Sequence, residues 1–201
     1  MKIIQLAPHP EKYSCRSYLI LGDWNGLDDV NTLIDPGIDG SIISQIEKVY
    51  TGVGKKPVDL VVLTHNHFDH AGGAAEVKKR FNARVVAFVK GDEVDTLCKN
   101  GEMLRFGDRY FEVIHMPAHS DDSVCFYCHD EKVVFTGDNA LRVMGPENSY
   151  RRNYLEFLQR LAALGVQKAY GGHECFTEGG LDNILAASIA NVSKALKGSG
   201  N

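Results

Sequence analysis

The most constraining feature of this chain is residues 64–73, Thr-His-Asn-His-Phe-Asp-His-Ala-Gly-Gly, where three of its eight histidines and one aspartate fall within six positions. The apolar run just before this segment predicts a buried strand, so the polar side chains begin where a strand ends. Because alternate side chains of an extended backbone share a face, His65 and His67 can reach one metal ion together. Asp69 and His70 follow in the predicted turn and can face a second ion. A chance gathering of surface histidines is the alternative, but the density of the cluster favours a metal site.

Three further polar side chains each follow a predicted strand, namely His119, Asp138 and His173. Rigid strands fix the backbone while the loops after them aim the side chains, as a site built on strand ends requires. Imidazole and carboxylate groups suit zinc or iron, and none of these positions is a cysteine, which argues against a closed structural zinc site. The pattern therefore predicts a catalytic metal site.

With these residues, the His-x-His-x-Asp-His motif resembles that of the metallo-beta-lactamase superfamily, and the resemblance covers nearly the whole chain. It implies the α/β fold of that family, a four-layer αββα sandwich with the metals at the edge between the sheets. The ligands that it implies are His65, His67 and His119 for metal 1, Asp69, His70 and His173 for metal 2, and Asp138 as a bridge between them. The cofactor is then two divalent metal ions, zinc in the first instance, with iron or manganese as alternatives.

Two features around this motif have alternative interpretations. Asp35 resembles the carboxylate that orients a ligand histidine in the family, but it also fits a turn residue before a Pro-Gly pair. Ala118 and Asp122 stand where the family often has glycine on either side of the third histidine. Asp122 either hydrogen-bonds a ligand histidine or narrows the pocket, or it is a solvated loop carboxylate, and we favour the solvated carboxylate.

The resemblance implies metal-assisted hydrolysis of an acyl bond, in which two ions activate a water molecule towards a carbonyl carbon. Asp69 would also orient this nucleophile, which makes it the predicted catalytic residue. Among the branches of the family, the ligand pattern looks most like that of glyoxalase II enzymes, which cleave hydroxyacyl thioesters of glutathione. The chain ends before the helical C-terminal domain of longer members, so it resembles only the short branch.

Other functions share the same ligands. Persulfide dioxygenases of the superfamily hold one iron with the equivalents of His65, His119 and Asp138. A lactonase or another ester hydrolase is a further alternative, although Leu141 stands where acyl-homoserine lactonases have tyrosine. A binding protein that keeps the site as a ligand sensor is the third.

Substrate choice is predicted to depend on the segment between Asp138 and the following helix. This segment follows Asp138 directly, so its first residues should lie near the metals. Arg142, Arg151 or Arg152 could pair with a substrate carboxylate through a bidentate contact. The alternative is that Arg151 and Arg152 open a helix and only face solvent.

Composition favours one cytoplasmic domain, residues 1–201, that acts on a small molecule. The chain has 201 residues, of which 44% are hydrophobic, enough to bury a core. Its net charge of −4 and scattered basic residues disfavour nucleic acid. No signal peptide or membrane-spanning run is expected, and the oligomeric state is not predicted.

The five cysteines, an odd number, fit a reducing compartment better than a disulfide framework. Cys125 and Cys128 are predicted to be small buried residues on opposite faces of one strand, since positions three apart on a strand point in opposite directions. Cys175 is predicted to pack in a loop, although it lies close enough to the metals to be oxidised.

The hydrophobic pattern predicts alternating strands and helices along the chain, with Asp39 as an N-cap. The predicted strands are 2–7, 16–22, 30–35, 58–63, 83–89, 103–105, 110–116, 123–129, 132–137 and 167–170. The predicted helices are 40–50, 71–80, 153–164 and 181–196. Residues 91–101 are predicted to be a polar connection and 198–201 a frayed tail.

Overall fold

Two six-stranded sheets form the frame of the fold in the computed structural model, which describes residues 1–145 and 150–198. The first sheet contains, in spatial order, β1 (Lys2–Leu6), β2 (Ser17–Leu21), β3 (Thr32–Ile34), β4 (Leu60–Val62), β5 (Arg84–Ala87) and β6 (Thr96–Leu97). The second contains β7 (Met103–Phe106), β8 (Arg109–His115), β9 (Val124–Cys128), β10 (Val133–Gly137), β11 (Lys168–Gly171) and β12 (Cys175–Phe176), also in spatial order. The expected frayed tail at 199–201 and the part of the predicted substrate segment at 146–149 lie outside the described residues.

The pairing of strands brings several carboxyl ends to one edge of each sheet. In the first sheet β1, β2 and β3 are antiparallel, whereas β3, β4, β5 and β6 run parallel. In the second sheet neighbouring strands are antiparallel except for β10 and β11, which are parallel. The loops that follow β3 and β4 therefore lie side by side, and so do those that follow β10 and β11.

The helices flank this pair of sheets, and two of them begin elsewhere than predicted. They are α1 (Ile43–Ile46), α2 (Phe68–Ala71), α3 (Ala74–Phe81), α4 (Arg152–Ala163) and α5 (Leu181–Gly198), with a 3-10 turn at Gly40–Ile42 before α1. Asp39 caps that turn by accepting a hydrogen bond from the Ser41 backbone N–H at 3.0 Å, as predicted. The helix predicted over 40–50 is much shorter, since its β-branched isoleucines are weak helix formers. Ile42 and Ile46 are fixed by burial in the core and not by a longer helix.

The helix expected to start near Ala71 begins at Phe68, with His67 as its N-cap. Asp69 and His70 therefore lie in a helical turn and not in a turn before it. The glycine pair that follows separates this turn from α3. The strands β6 and β12 were also not predicted, because two residues are too few to show an alternating pattern.

Three apolar clusters separate four layers. One lies between the sheets and includes Ile20 and Val62 from the first and Phe111 and Phe126 from the second. The second packs the outer face of the first sheet against α1 and α3, and the third packs the outer face of the second sheet against α4 and α5. The predicted α/β sandwich of four layers is confirmed. That residues 1–201 form a single domain stays a prediction.

The strand β9 shows why several strands of this chain are almost wholly apolar. All five of its residues are buried, because both faces of the sheet are covered. Cys125 belongs to the cluster under α4 and α5, and Cys128 to the cluster between the sheets. The prediction that these two cysteines are buried on opposite faces is confirmed.

None of the helices within residues 1–145 and 150–198 combines the length and the apolar character of a membrane span.

Candidate metal centre

The predicted ligands lie together at the seam between the two sheets. His65 and His67 follow β4 of the first sheet, whereas His119, Asp138 and His173 follow β8, β10 and β11 of the second. The two sheets are joined at this point by a hydrogen bond from the Val124 backbone N–H to the Thr64 carbonyl oxygen, 2.8 Å long. The ends of four strands from two sheets thus converge on one place.

Three imidazole rings form the first group of candidate ligands, His65, His67 and His119. The Nδ1 atom of His67 lies 3.1 Å from Nε2 of His65 and 2.9 Å from Nε2 of His119. Ring nitrogens that face one another at this distance repel unless a proton or a cation lies between them. His65 is buried, whereas His67 and His119 are more exposed, so the group is open on one side. The arrangement suits a divalent metal ion with room for a further ligand.

The second group combines two carboxylates and two imidazoles, Asp69, His70, Asp138 and His173. His173 Nε2 lies 3.2 Å from Asp69 Oδ2 and 3.6 Å from Asp138 Oδ2. Asp138 Oδ2 is also 3.6 Å from His119 Nε2, so this carboxylate lies between the two groups. Its predicted role as a bridge is compatible with this position and stays a prediction.

Two buried atoms in the second group support the fit to a cation. His70 Nε2 and Asp138 Oδ1 are 3.1 Å apart, yet neither makes a hydrogen bond of normal geometry to the described residues. Buried polar atoms rarely lack a partner, and when they do they often indicate a missing ion or water. The residues present here therefore fit a divalent metal, and their histidine and aspartate groups support metal binding by this chain.

The Asp35 carboxylate aligns one histidine of each group. Its Oδ2 atom accepts hydrogen bonds from His70 Nδ1 at 2.8 Å and from the Thr64 hydroxyl at 2.7 Å. Because the Thr64 hydroxyl donates to Asp35, it must accept from His65 Nδ1, which lies 3.0 Å away. With both Nδ1 atoms turned towards these acceptors, both Nε2 atoms point into the two groups.

The backbone of Asp35 indicates that this position is constrained. Asp35 adopts φ 51°, in the left-handed region that costs energy for a residue with a side chain, and it is buried. Its Oδ1 atom also accepts the Thr64 backbone N–H at 2.8 Å. Of the two interpretations of Asp35, the contacts favour the one in which it orients ligand histidines.

The electrostatics of the centre place two key groups in the form that binds metals. Burial, followed by the charge of His70, lowers the pKa of His65 to about 4. Burial would raise the pKa of Asp138, but the close contact with the charged His70 lowers it to about 2. Burial would lower the pKa of His70, yet the carboxylates of Asp35 and Asp138 raise it well above its usual value. At neutral pH His65 is therefore a neutral imidazole and Asp138 a carboxylate, as metal ligation requires.

Two glycines allow the strand ends to approach the centre. A Cβ atom on Gly172 would lie 2.4 Å from Asp138 Oδ1 and 2.5 Å from His70 Cε1. Gly137 has φ 53°, and a Cβ atom there would lie 2.4 Å from the Thr64 hydroxyl oxygen. Any side chain at either position would push the two sheets or the ligands apart.

The expectation that Asp122 is a solvated loop carboxylate is wrong. Asp122 is partly buried, and both of its oxygens accept hydrogen bonds, from the Asn66 backbone N–H at 2.8 Å and from the Ser120 hydroxyl at 2.7 Å. These partners come from two separate ligand loops. The sequence gives no sign of such a contact, because it joins residues 56 positions apart.

Tyr13 and Arg16, which lie before β2 and belong to no sequence motif, support the second group. The Tyr13 hydroxyl lies 3.1 Å from His173 Nε2, and its ring stacks on the His173 ring at 4.8 Å. The Arg16 backbone N–H donates to the Gly172 carbonyl at 2.8 Å, and the Arg16 side chain donates to the His173 carbonyl. Neither residue has a spacing relation to the ligands, so only the folded chain reveals the contact.

The three arginines proposed for substrate binding occupy different environments. Arg151 lines a cleft of about 350 Å³ together with His119, Asp138 and Tyr150. Arg142 instead pairs with Glu174 at 3.5 Å and lies over the Phe176 ring. Arg152 is exposed and begins α4. The geometry therefore singles out Arg151 among the three, and a role in substrate binding stays a prediction.

Cys175 lies in β12 and not in a loop, with its Sγ atom 3.0 Å from the Tyr18 hydroxyl.

Comparison with protein families and with curated proteins gives consistent matches. The model of the metallo-beta-lactamase superfamily matches residues 12–99 and 92–173. The chain is 30% identical to a hydroxyacylglutathione hydrolase of Pelagibacter ubique, over 79% of this chain and 66% of that protein. It is 33% identical to a hydroxyacylglutathione hydrolase of a Methylobacterium species, over 83% of this chain and 67% of that protein. It spans 66% or less of the length of the first curated relatives that it matches.

Comparison with solved structures shows the same architecture. The crystal structure of ETHE1 from Myxococcus xanthus superposes with a TM-score of 0.68 at 22% identity, and covers 98% of this chain and 91% of that one. At this sequence identity the likeness shows only that the two chains share the fold described above.

Proposed function

The chain belongs to the metallo-beta-lactamase superfamily, and on that premise we propose that it is a metal-dependent hydrolase of acyl bonds, acting on a thioester of the hydroxyacylglutathione type. The observation that carries the proposal is that two groups of candidate ligands adjoin at Asp138. The Asp138 carboxylate lies 3.1 Å from His70 Nε2 and 3.6 Å from Nε2 of both His119 and His173. The curated relatives named hydroxyacylglutathione hydrolase supply the substrate class.

In this proposal two divalent ions are held by the two groups, His65, His67 and His119 for one, and Asp69, His70 and His173 for the other, with Asp138 shared. Zinc is the first choice, and iron or manganese are the alternatives, because imidazole and carboxylate ligands suit all three. When bound, such ions make a water molecule nucleophilic at neutral pH and polarise the carbonyl group of the substrate.

The side chains of the chain itself orient the reaction. The Asp69 carboxylate, buried beside His173, would accept a hydrogen bond from the attacking water and so fix its direction. Asp35 accepts from Nδ1 of His70 and, through Thr64, orients Nδ1 of His65, so that the Nε2 atoms of both rings face the proposed metal positions. The cleft beside Asp138 would receive the substrate, and its volume of about 350 Å³ is within the range of small-molecule sites.

An iron persulfide dioxygenase is the alternative. That chemistry would need only His65, His119 and Asp138 as ligands. Because those enzymes keep the same motif, the ligand set does not separate the two functions, and it is the curated relatives named hydroxyacylglutathione hydrolase that favour hydrolysis.

A substrate screen with metal analysis tests the proposal. Purified protein, loaded in turn with zinc, iron or manganese, is offered S-D-lactoylglutathione, an aryl thioester, a lactone and a phosphodiester. We expect release of thiol from the thioesters in the presence of metal. Oxygen uptake with glutathione persulfide and no thioester cleavage would instead support the dioxygenase.

Substitution of Arg151 tests the anionic part of the substrate. We expect Arg151→Ala to raise KM for thioesters that carry carboxylates and to leave kcat unchanged, because a contact that is equal in ground and transition states affects binding alone. Neutral aryl esters should show the same KM as with the wild-type protein. Steady-state kinetics with a charged and a neutral substrate make the measurement.

Arg152→Ala is the matched control, because Arg152 is adjacent and exposed and begins α4. Equal changes for charged and neutral substrates, or an unchanged KM for charged substrates in Arg151→Ala, would rule out the contact.

A further inference from the structure

We propose that Asp122 is a positioning residue that fastens together the two loops carrying the first group of ligands. The inference rests on the proposed metal binding at His65, His67 and His119, and goes beyond it by assigning the alignment of this group to a residue that is not a ligand.

The contacts of Asp122 reach the immediate neighbours of all three histidines. Its Oδ2 atom accepts the backbone N–H of Asn66, the residue between His65 and His67, at 2.8 Å. Its Oδ1 atom accepts the hydroxyl of Ser120, the residue after His119, at 2.7 Å. One carboxylate thereby links the loop after β4 to the loop after β8.

The first group needs such a link more than the second. His70 and Asp69 of the second group are buried, so packing holds them, and Tyr13 stacks on the exposed His173, whereas His67 and His119 of the first group are exposed. The loops of the first group, like those of the second, come from different sheets, so the sheet pairing alone does not fix them relative to each other. Side chains that neither packing nor their own sheet holds in place depend on hydrogen bonds for their geometry.

Asp122 acts through these neighbours and not on a metal. It belongs to neither group of candidate ligands among residues 1–145 and 150–198. Each of its oxygens already accepts a hydrogen bond from a protein group. Because the acceptor is charged, these hydrogen bonds are stronger than those between neutral groups.

The test is a metal titration of the Asp122→Ala variant. Zinc is competed against a chromophoric chelator, and cobalt is followed by its visible absorption, which reports the geometry of the ligands. We expect one of the two bound ions to bind about 10–100-fold more weakly, the usual effect of removing a group that orients ligands. The affinity for the other ion should stay within about threefold of the wild-type value, as for a surface substitution.

Two further variants separate alignment from a general effect on structure. In Asp122→Asn the amide oxygen can still accept the Asn66 N–H and the amide N–H can donate to Ser120, so we expect near wild-type affinity. Asp121→Ala is the matched control, because the Asp121 side chain is adjacent and 99% exposed. It should bind both ions as the wild-type protein does.

Wild-type affinity in Asp122→Ala, an equal loss in Asp121→Ala, or an equal loss in Asp122→Asn would overturn the proposal. If Asp122→Ala does not fold, Ser120→Ala removes one of the two hydrogen bonds, and unchanged binding of the first ion there would overturn it as well. A wild-type protein that binds no metal would instead contradict the proposed function itself.

Discussion

In the His67→Ala variant we expect elemental analysis to find about one transition-metal ion per chain, against about two in the wild-type protein. His67 Nδ1 is the atom at the centre of the first group, 3.1 Å from His65 and 2.9 Å from His119. Without it, the first ion loses one of its four proposed protein ligands and shares one of the remaining three, Asp138, with the second ion, so it should bind more weakly and be lost on dialysis. The measurement is the metal content after equilibrium dialysis with zinc, iron or manganese.

His129→Ala is the control for this experiment, because His129 is exposed and pairs with Glu112 away from the centre. It should keep the metal content of the wild-type protein. A metal-free protein that is active, or a wild-type content that never exceeds one ion when metal is supplied, would contradict a centre of two ions.

Asp69→Ala should nearly abolish thioester hydrolysis, with the loss in kcat. The substitution removes a candidate ligand of the second group and the acceptor proposed to direct the attacking water. Removing a residue that merely supports a ligand already costs about 10–100-fold, so we expect a decrease of more than about 100-fold here. Because the effect arises in the chemical step, KM should change little by comparison.

Thiol release from S-D-lactoylglutathione at saturating concentration measures this loss, on protein whose metal content has been determined. Asp92→Ala, at an exposed aspartate, is the control and should keep the wild-type rate. An Asp69→Ala variant with wild-type kcat would show that Asp69 plays no part in the reaction.

The clustering of the ligands could be predicted because each one is marked locally. His65 and His67 follow an apolar run, and Asp138 and His173 follow others, so each position can be assigned to a strand end from its neighbours alone. Parallel pairing of β10 with β11 and of β3 with β4 then brings those ends together. The four-layer fold is implied by the resemblance of the motif to the family, and apolar strands such as β9 agree with it because they require layers on both faces.

The supporting contacts could not be predicted, because they depend on where separate loops meet. Asp122 and Asn66 are 56 positions apart, and Tyr13 and His173 are 160 positions apart. No pattern of hydrophobicity or spacing relates such pairs. The choice of Arg151 over Arg142 likewise follows from the folded chain, in which Arg151 lines the cleft beside Asp138 and Arg142 pairs with Glu174 outside it.

The placement of the centre across the seam ties the stability of this protein to the supply of metal. Each sheet provides only part of the proposed ligands, so an ion bound there would hold the two sheets against each other and would bind the folded chain alone. A free ion at a hundred times its dissociation constant would add about 2.7 kcal/mol to the free energy of unfolding. In a cell, a change of this size alters the fraction of chains exposed to proteases enough to change abundance several-fold. Metal starvation would then act on the turnover of this protein as well as on its activity.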